Sequence, residues 1–212
     1  MKDKHLVHNL IILDESGSME SIKESIISGF KELVQSIQKV ATQFPEQEHR
    51  ISFVSFNSSG IKYLHFDKSV KKLDIIDAKK YMPNHMTPLY DAMGHSINKL
   101  RKHIKGEKKC NVLVTILTDG LENASVEFNR QEIKKLIMKL KKEKWTFTYI
   151  GTDHDVKEEA YTLHINNFMD FEKSTFGLAR MFKHEENARH KYLTKIKDGE
   201  EVSEDYYEDS DK

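Results

Sequence analysis

Cysteine is nearly absent: among 212 residues only Cys110 carries a thiol, which excludes an intramolecular disulfide and any zinc site built from several thiolates. Its place in the apolar run Cys110-Asn111-Val112-Leu113-Val114 marks it as a small buried filler rather than a reactive group. Proline and glycine are scarce too, at 3 and 9 residues, so no stretch reads as an interdomain linker. No internal repeat is visible. Neither charge is in surplus, because Lys plus Arg and Asp plus Glu number 34 each, and bulk electrostatics therefore select neither nucleic acid nor an anionic membrane. Long hydrophobic runs are also missing. The segment Leu6 to Leu13 is interrupted by His8 and Asn9 and stopped by Asp14, too short and too polar for a signal or membrane segment, so a cytoplasmic protein is expected.

What is present suffices for one soluble domain, with 38% hydrophobic residues for a core and 32% charged residues for its exterior. Residues 1–196 are read as that domain. Residues 197–212 hold eight acids against Lys197 and Lys212 and are expected to form a disordered acidic tail. The run Asn9 to Leu13, ended by an acid-Ser-Gly cluster, predicts a strand buried on both faces. Ile22, Ile26, Phe30, Leu33, Ile37, Val40 and Phe44 recur at steps of three and four up to Pro45, which predicts a long amphipathic helix.

Residues 51–56 and 61–66 are β-rich and separated only by Asn57-Ser58-Ser59-Gly60, a link that allows an antiparallel hairpin but no parallel crossover. The first and second strands, joined through a helix, should instead run parallel. Further along, the pattern predicts a short helix over 74–82, a helix carrying Leu89, Met93, Ile97, Leu100 and Ile104, and a strong strand over 112–117. A helix with Ile133, Leu136, Ile137 and Leu140 follows, then a strand over 146–150, a short helix over 156–163 and a weak strand at Phe168. The last helix starts at Thr175 and runs toward Ile196. The alternation is α/β throughout. Lys134, Lys135, Lys139, Lys141 and Lys142 form a basic face read mainly as solvated, with the acidic tail or an acidic partner as the alternative contacts.

In Asp14-Glu15-Ser16-Gly17-Ser18, placed where the first strand gives way to the long helix, Asp14, Ser16 and Ser18 can point into one small space. Hard cations such as magnesium take oxygen ligands at about 2.1 Å and readily keep waters, which suits hydroxyls with few carboxylates. Asp119, in Thr118-Asp119-Gly120, follows the 112–117 strand at the same kind of position. In open α/β sheets, ligands bind at carboxyl strand ends where the strand order reverses, so Asp14 and Asp119 would face each other if their strands flank that point.

Taken together, Asp14-Glu15-Ser16-Gly17-Ser18-Met19, Thr87-Pro88-Leu89-Tyr90-Asp91-Ala92 and Thr118-Asp119-Gly120 resemble the three elements of the metal-ion-dependent adhesion site of von Willebrand factor A domains. The resemblance spans roughly residues 6 to 185. It implies a three-layer, doubly wound, Rossmann-like α/β fold with a mostly parallel six-stranded sheet, one antiparallel edge strand and helices on both faces. It also implies a metal site in which the Ser16, Ser18 and Thr87 hydroxyls ligate directly while Asp14 and Asp119 act through bound water. Magnesium is the expected ion, with manganese or calcium as alternatives, and the open position would take a Glu or Asp of a partner protein. Intracellular members of the family often serve as adaptors beside ATPases, so an ATPase-associated assembly is the expected class of partner. His85-Met86 stand where many relatives carry glycine, making this loop bulkier. Glu122 and Asn123 are candidates for the rim.

The expectation is thus a non-enzymatic binding module. A magnesium-dependent phosphohydrolase using Asp14 is the alternative, but its usual second acid two residues on is here Ser16. A metal-free scaffold is the third possibility. No nucleophile elbow and no histidine metal motif occurs.

Overall fold

Two kinds of segment alternate along the chain: short strands crowded with β-branched and aliphatic residues, and helices apolar on one stripe. The computed structural model describes residues 4–73 and 79–207. In order they form β1 (His5–Asp14), a 3₁₀ turn (Gly17–Ile22), α1 (Lys23–Gln43), β2 (Gln47–Asn57), β3 (Gly60–Ser69) and α2 (Leu89–His103). Then come β4 (Cys110–Thr118), α3 (Arg130–Lys141), β5 (Trp145–Gly151), α4 (Val156–Thr162), β6 (Asn167–Asp170) and α5 (Thr175–Asp198).

The six strands lie in the order β3-β2-β1-β4-β5-β6, all parallel except for the antiparallel β2–β3 hairpin, as expected. The chain leaves β1 toward β2 on one side and returns to β4 on the other, so the order reverses between β1 and β4. Register brings the two ends level, with Leu13 beside Ser55 on one flank and Leu117 on the other.

Side chains alternate across the sheet. Ile11, Leu13, Phe53, Leu117 and Ile150 pack under α1 and α5, whereas Leu10, Ile12, Val54, Val114 and Ile116 pack under α2, α3 and α4. Each such buried aliphatic side chain contributes about 1.5–3 kcal/mol relative to exposure. α1 and α5 meet closely at Gly29, where a Cβ would lie 1.8 Å from the Phe182 ring, so only glycine fits.

Three expectations are corrected. β1 begins at His5 rather than Asn9 because most of its polar groups find partners within the sheet, although His8 Nδ1 makes no hydrogen bond among the described residues. His8 Nε2 shares a hydrogen bond with the Ser52 hydroxyl at 3.0 Å, and Asn9 donates to the Arg50 carbonyl at 3.1 Å and accepts from buried Arg189. Cys110 is only partly buried at the edge of its cluster, although burial still pushes its thiol up to about 12.

The third correction concerns the acidic segment. From Gly199 to Tyr207 it packs as a strap, with Val202 and Tyr206 buried, while residues 208–212 lie outside the described residues. The Thr146 hydroxyl donates to the Val202 carbonyl at 2.8 Å, and the Tyr206 and Tyr207 hydroxyls donate to Glu185 at 3.0 and 2.8 Å. Of the basic face on α3, Lys141 reaches this strap, pairing with Glu204 at 2.6 Å, while Lys135, Lys139 and Lys142 are exposed.

The expected 74–82 helix falls largely outside the described residues, and 79–82 form a turn followed by residues in no regular structure. Among the described residues, no helix is long and apolar enough to cross a membrane.

Candidate functional site

β1 and β4 end side by side at the point where the strand order reverses, and both end in acids. Asp14 closes β1 and is fully buried; Asp119 follows β4 and is 2% exposed. The turn after Asp14 folds back on it, so that the Ser16 N–H donates to Asp14 Oδ1 at 2.7 Å. The other oxygen, Oδ2, accepts the Thr118 hydroxyl at 2.6 Å, which ties the two strand ends together.

Across the crevice the Ser18 hydroxyl donates to Asp119 Oδ1 at 2.6 Å and shares a hydrogen bond with the Ser16 hydroxyl at 3.2 Å. Asp14, Ser16, Ser18, Thr118 and Asp119 are therefore one bonded cluster. Burial pushes the Asp14 carboxyl up to about 6, and the nearby Asp119 charge pushes the same way, against the pull of the Thr118 and Ser16 hydrogen bonds.

Thr87 comes from the segment before α2, which is sewn onto the β1 turn. The Gly17 N–H donates to the His85 carbonyl at 3.0 Å, and the Asn84 N–H to the Glu15 carbonyl at 2.9 Å. Asn123 completes the placement, its Oδ1 taking the Thr87 N–H at 2.8 Å while its own N–H is given to the Thr87 carbonyl at 3.1 Å. Thr87 is 4% exposed, yet among the described residues its hydroxyl has no hydrogen-bond partner.

A profile of the von Willebrand factor type A domain matches residues 10–192. The chain belongs to that family. Among solved structures, this von Willebrand factor A domain is similar to proximal thread matrix protein 1 from the mussel byssus. In one crystal form the TM-score is 0.60 at 19% identity, covering 85% of this chain and 47% of that one. A second structure of the mussel protein gives 0.60 at 15% identity, over 85% and 45% of the two chains. The chain thus spans about half the length of the mussel protein. The SpRpn10 VWA domain is similar with a TM-score of 0.57 at 10% identity, over 84% of this chain and 93% of that one. At these identities the likeness is one of fold. No curated protein matches the chain.

Within this von Willebrand factor A domain, four of the five residues singled out from the sequence, Asp14, Ser16, Ser18 and Asp119, meet at the carboxyl ends of β1 and β4, and Thr87 lies on the segment bonded to the β1 turn. The two rim candidates prove to be positioning residues. Asn123 holds Thr87, and Glu122 receives the Tyr90 N–H at 2.9 Å and the Ala124 and Ser125 N–H groups at 2.7 and 2.6 Å, capping α2.

Two charged residues of the site were not anticipated. Glu15, inside the first motif, points away from the cluster and is fully buried. It accepts the Ser55 hydroxyl at 2.6 Å, the Lys62 ammonium at 2.7 Å and the Met82 N–H at 2.6 Å, and so fixes the segment that delivers Thr87. Lys173 enters from the turn between β6 and α5 and donates to Asp119 Oδ2 at 2.7 Å and to Asp153 Oδ2 at 3.0 Å.

The donor set is all oxygen, with three hydroxyls and only two carboxylates. Among the described residues, no group of three or more His, Cys, Asp or Glu gathers as for a metal, so the fit to a cation rests on the hydroxyls. A hard divalent ion that keeps part of its water shell matches this chemistry, and the unpartnered Thr87 hydroxyl supplies a free lone pair for it.

Proposed function

We propose that this domain binds a divalent cation, magnesium first, through Ser16, Ser18 and Thr87, with Asp14 and Asp119 behind them, and uses it to take a carboxylate of a partner protein. The observation that carries this reading is the bonded cluster of Asp14, Ser16, Ser18 and Asp119 where the strand order reverses, with Thr87 on the segment tied to the β1 turn and its hydroxyl, among the described residues, without a hydrogen-bond partner. When bound, the cation would supply positive charge that three neutral hydroxyls leave largely uncompensated, so an incoming carboxylate gains strongly.

The chain's own residues do the rest. Asp14 orients the β1 turn through the Ser16 N–H, Asp119 orients the Ser18 hydroxyl, and Asn123 sets Thr87. Exposed apolar side chains stand on the loops that carry these residues: Met82, Met86, Leu121 and Val126. Such a surround suits a protein partner rather than a small substrate.

The reading is of a binding module and not an enzyme. A phosphohydrolase needs a second acid where Ser16 stands, and the Ser16 hydroxyl is engaged with Ser18. A cytoplasmic adaptor role, as in an ATPase-associated assembly, is the setting we propose, and the single thiol with its raised pKa is compatible with it.

Thermal unfolding of the wild type and Asp14→Ala, in chelator and in millimolar magnesium, tests the site, because a ligand of the folded state alone raises its stability. A magnesium-dependent rise in the wild type that vanishes in Asp14→Ala is expected. No rise in the wild type would overturn the metal reading and leave the scaffold reading in its place.

A further inference from the structure

Lys173 is delivered to Asp119 by a turn held at both ends. On one side the Phe171 N–H donates to the Gly151 carbonyl at 3.0 Å; on the other the Ser174 side chain caps α5 by accepting the Gly177 N–H at 3.0 Å. Gly177 sits so close to this turn that a Cβ there would lie 2.2 Å from the Glu172 carbonyl oxygen. The Lys173 side chain is 21% exposed against 0% for that of Asp119, so the pair is screened far less than a surface ion pair. With Ser18 on Oδ1 and Lys173 on Oδ2, both oxygens of Asp119 are engaged.

We infer that Lys173 is a built-in competitor of the metal, lowering the cation affinity of the site by neutralising Asp119 from within. The inference rests on the metal reading proposed above. The cluster of Asp14, Asp119 and Asp153 carries three negative charges, and one tethered positive charge already stands among them. A divalent ion held by the Ser16, Ser18 and Thr87 hydroxyls depends on the field of Asp14 and Asp119, because its direct ligands are neutral. Every part of that field spent on Lys173 is lost to the ion, and by linkage a bound ion loosens the hold of Asp119 on Lys173. The domain is thereby set for weak, exchangeable metal binding, strengthened when a partner's carboxylate adds negative charge.

The test is a magnesium titration, by calorimetry and by thermal shift, of wild type, Lys173→Met and Lys173→Arg. Lys173→Met should tighten magnesium binding about fivefold or more, and Lys173→Arg, which keeps the charge, should stay within about twofold of wild type. In chelator, Lys173→Met should melt lower than wild type, since three acids then face one another unrelieved, and magnesium should restore more stability to it than to wild type. If Lys173 merely braced the turn, the variant would melt lower with and without magnesium and bind it no tighter, and that result overturns the inference alone. Absence of magnesium binding in both wild type and Lys173→Met overturns the metal reading and this inference with it.

Discussion

Asn123 and Thr87 grip each other twice through the backbone of Thr87: the Asn123 carboxamide oxygen accepts the Thr87 N–H at 2.8 Å and the Thr87 carbonyl accepts the Asn123 N–H at 3.1 Å. The loop after β4 thus positions a side chain that the segment before α2 supplies. Asn123 touches the site only through Thr87, so its effect should be on geometry more than on folding.

Asn123→Ala is therefore expected to lower stability by only about 1 kcal/mol, the net worth of one hydrogen bond, while weakening magnesium binding about tenfold. Urea unfolding in chelator measures the first quantity and calorimetric titration the second. Unchanged magnesium affinity would show that Thr87 keeps its place without Asn123.

His85 occupies the left-handed region, at φ 69°, a backbone conformation that favours glycine. That conformation strains a residue with a Cβ by roughly 1–2 kcal/mol, partly relieved here by the Asn84 side chain, which accepts the His85 N–H at 2.8 Å. His85→Gly should accordingly stabilise the fold by up to about 1 kcal/mol. Denaturant midpoints of the two proteins decide it; a loss of stability instead would mean that the imidazole itself holds the loop.

Two histidines are buried as neutral rings. Burial lowers His8 to about 4, with Arg50 and His103 pushing the same way and Asp67 opposing; burial also lowers His49 to about 4, with Arg189 adding and Glu46 opposing. Because both folded values lie below the unfolded one of 6.5, the unfolded chain holds more protons between pH 6.5 and 4. Their stabilisation is complete above that window and is lost on acidification, up to about 3 kcal/mol for each. Asp14, raised to about 6, acts oppositely: its share is present at low pH and lost as pH rises, so it offsets part of the fall. Urea unfolding in chelator at pH 7.5 and at pH 5 should show a clear net loss at the lower value, and one that shrinks in His8→Gln combined with His49→Gln. A pH-independent midpoint would contradict the assignment.

Much of the fold was legible because its signals are local. The Asn57-Ser58-Ser59-Gly60 link dictates a hairpin, the stripe from Ile22 to Val40 dictates a crossover helix, and together they place β1 and β2 side by side and parallel. That Asp14, Ser16, Ser18 and Asp119 meet was legible because each sits in a short motif at a strand end. Glu15 was not, although it lies inside one of those motifs. Its direction follows from the alternation of the chain at the end of β1, and its partner Lys62 lies 47 residues away. Lys173 is a single lysine in a chain with 34 basic residues, and its contact with Asp119 spans 54 positions. The strap was misread because composition averages over residues: eight acids outweigh Val202, Tyr206 and Tyr207 in any count, yet those three are the ones that pack.

The strap also relocates the edge of the folding unit. Arg189, fully buried, is paired with Glu185, and Glu185 in turn receives the hydroxyls of Tyr206 and Tyr207. Trimming the chain at Ile196 as a tidy end to α5 would uncover a buried ion pair and take away two of its hydrogen bonds, a change of the kind that destabilises by several kcal/mol. Any shortened or fused version of this domain has to carry its acidic segment through Tyr207 to keep its own interior closed.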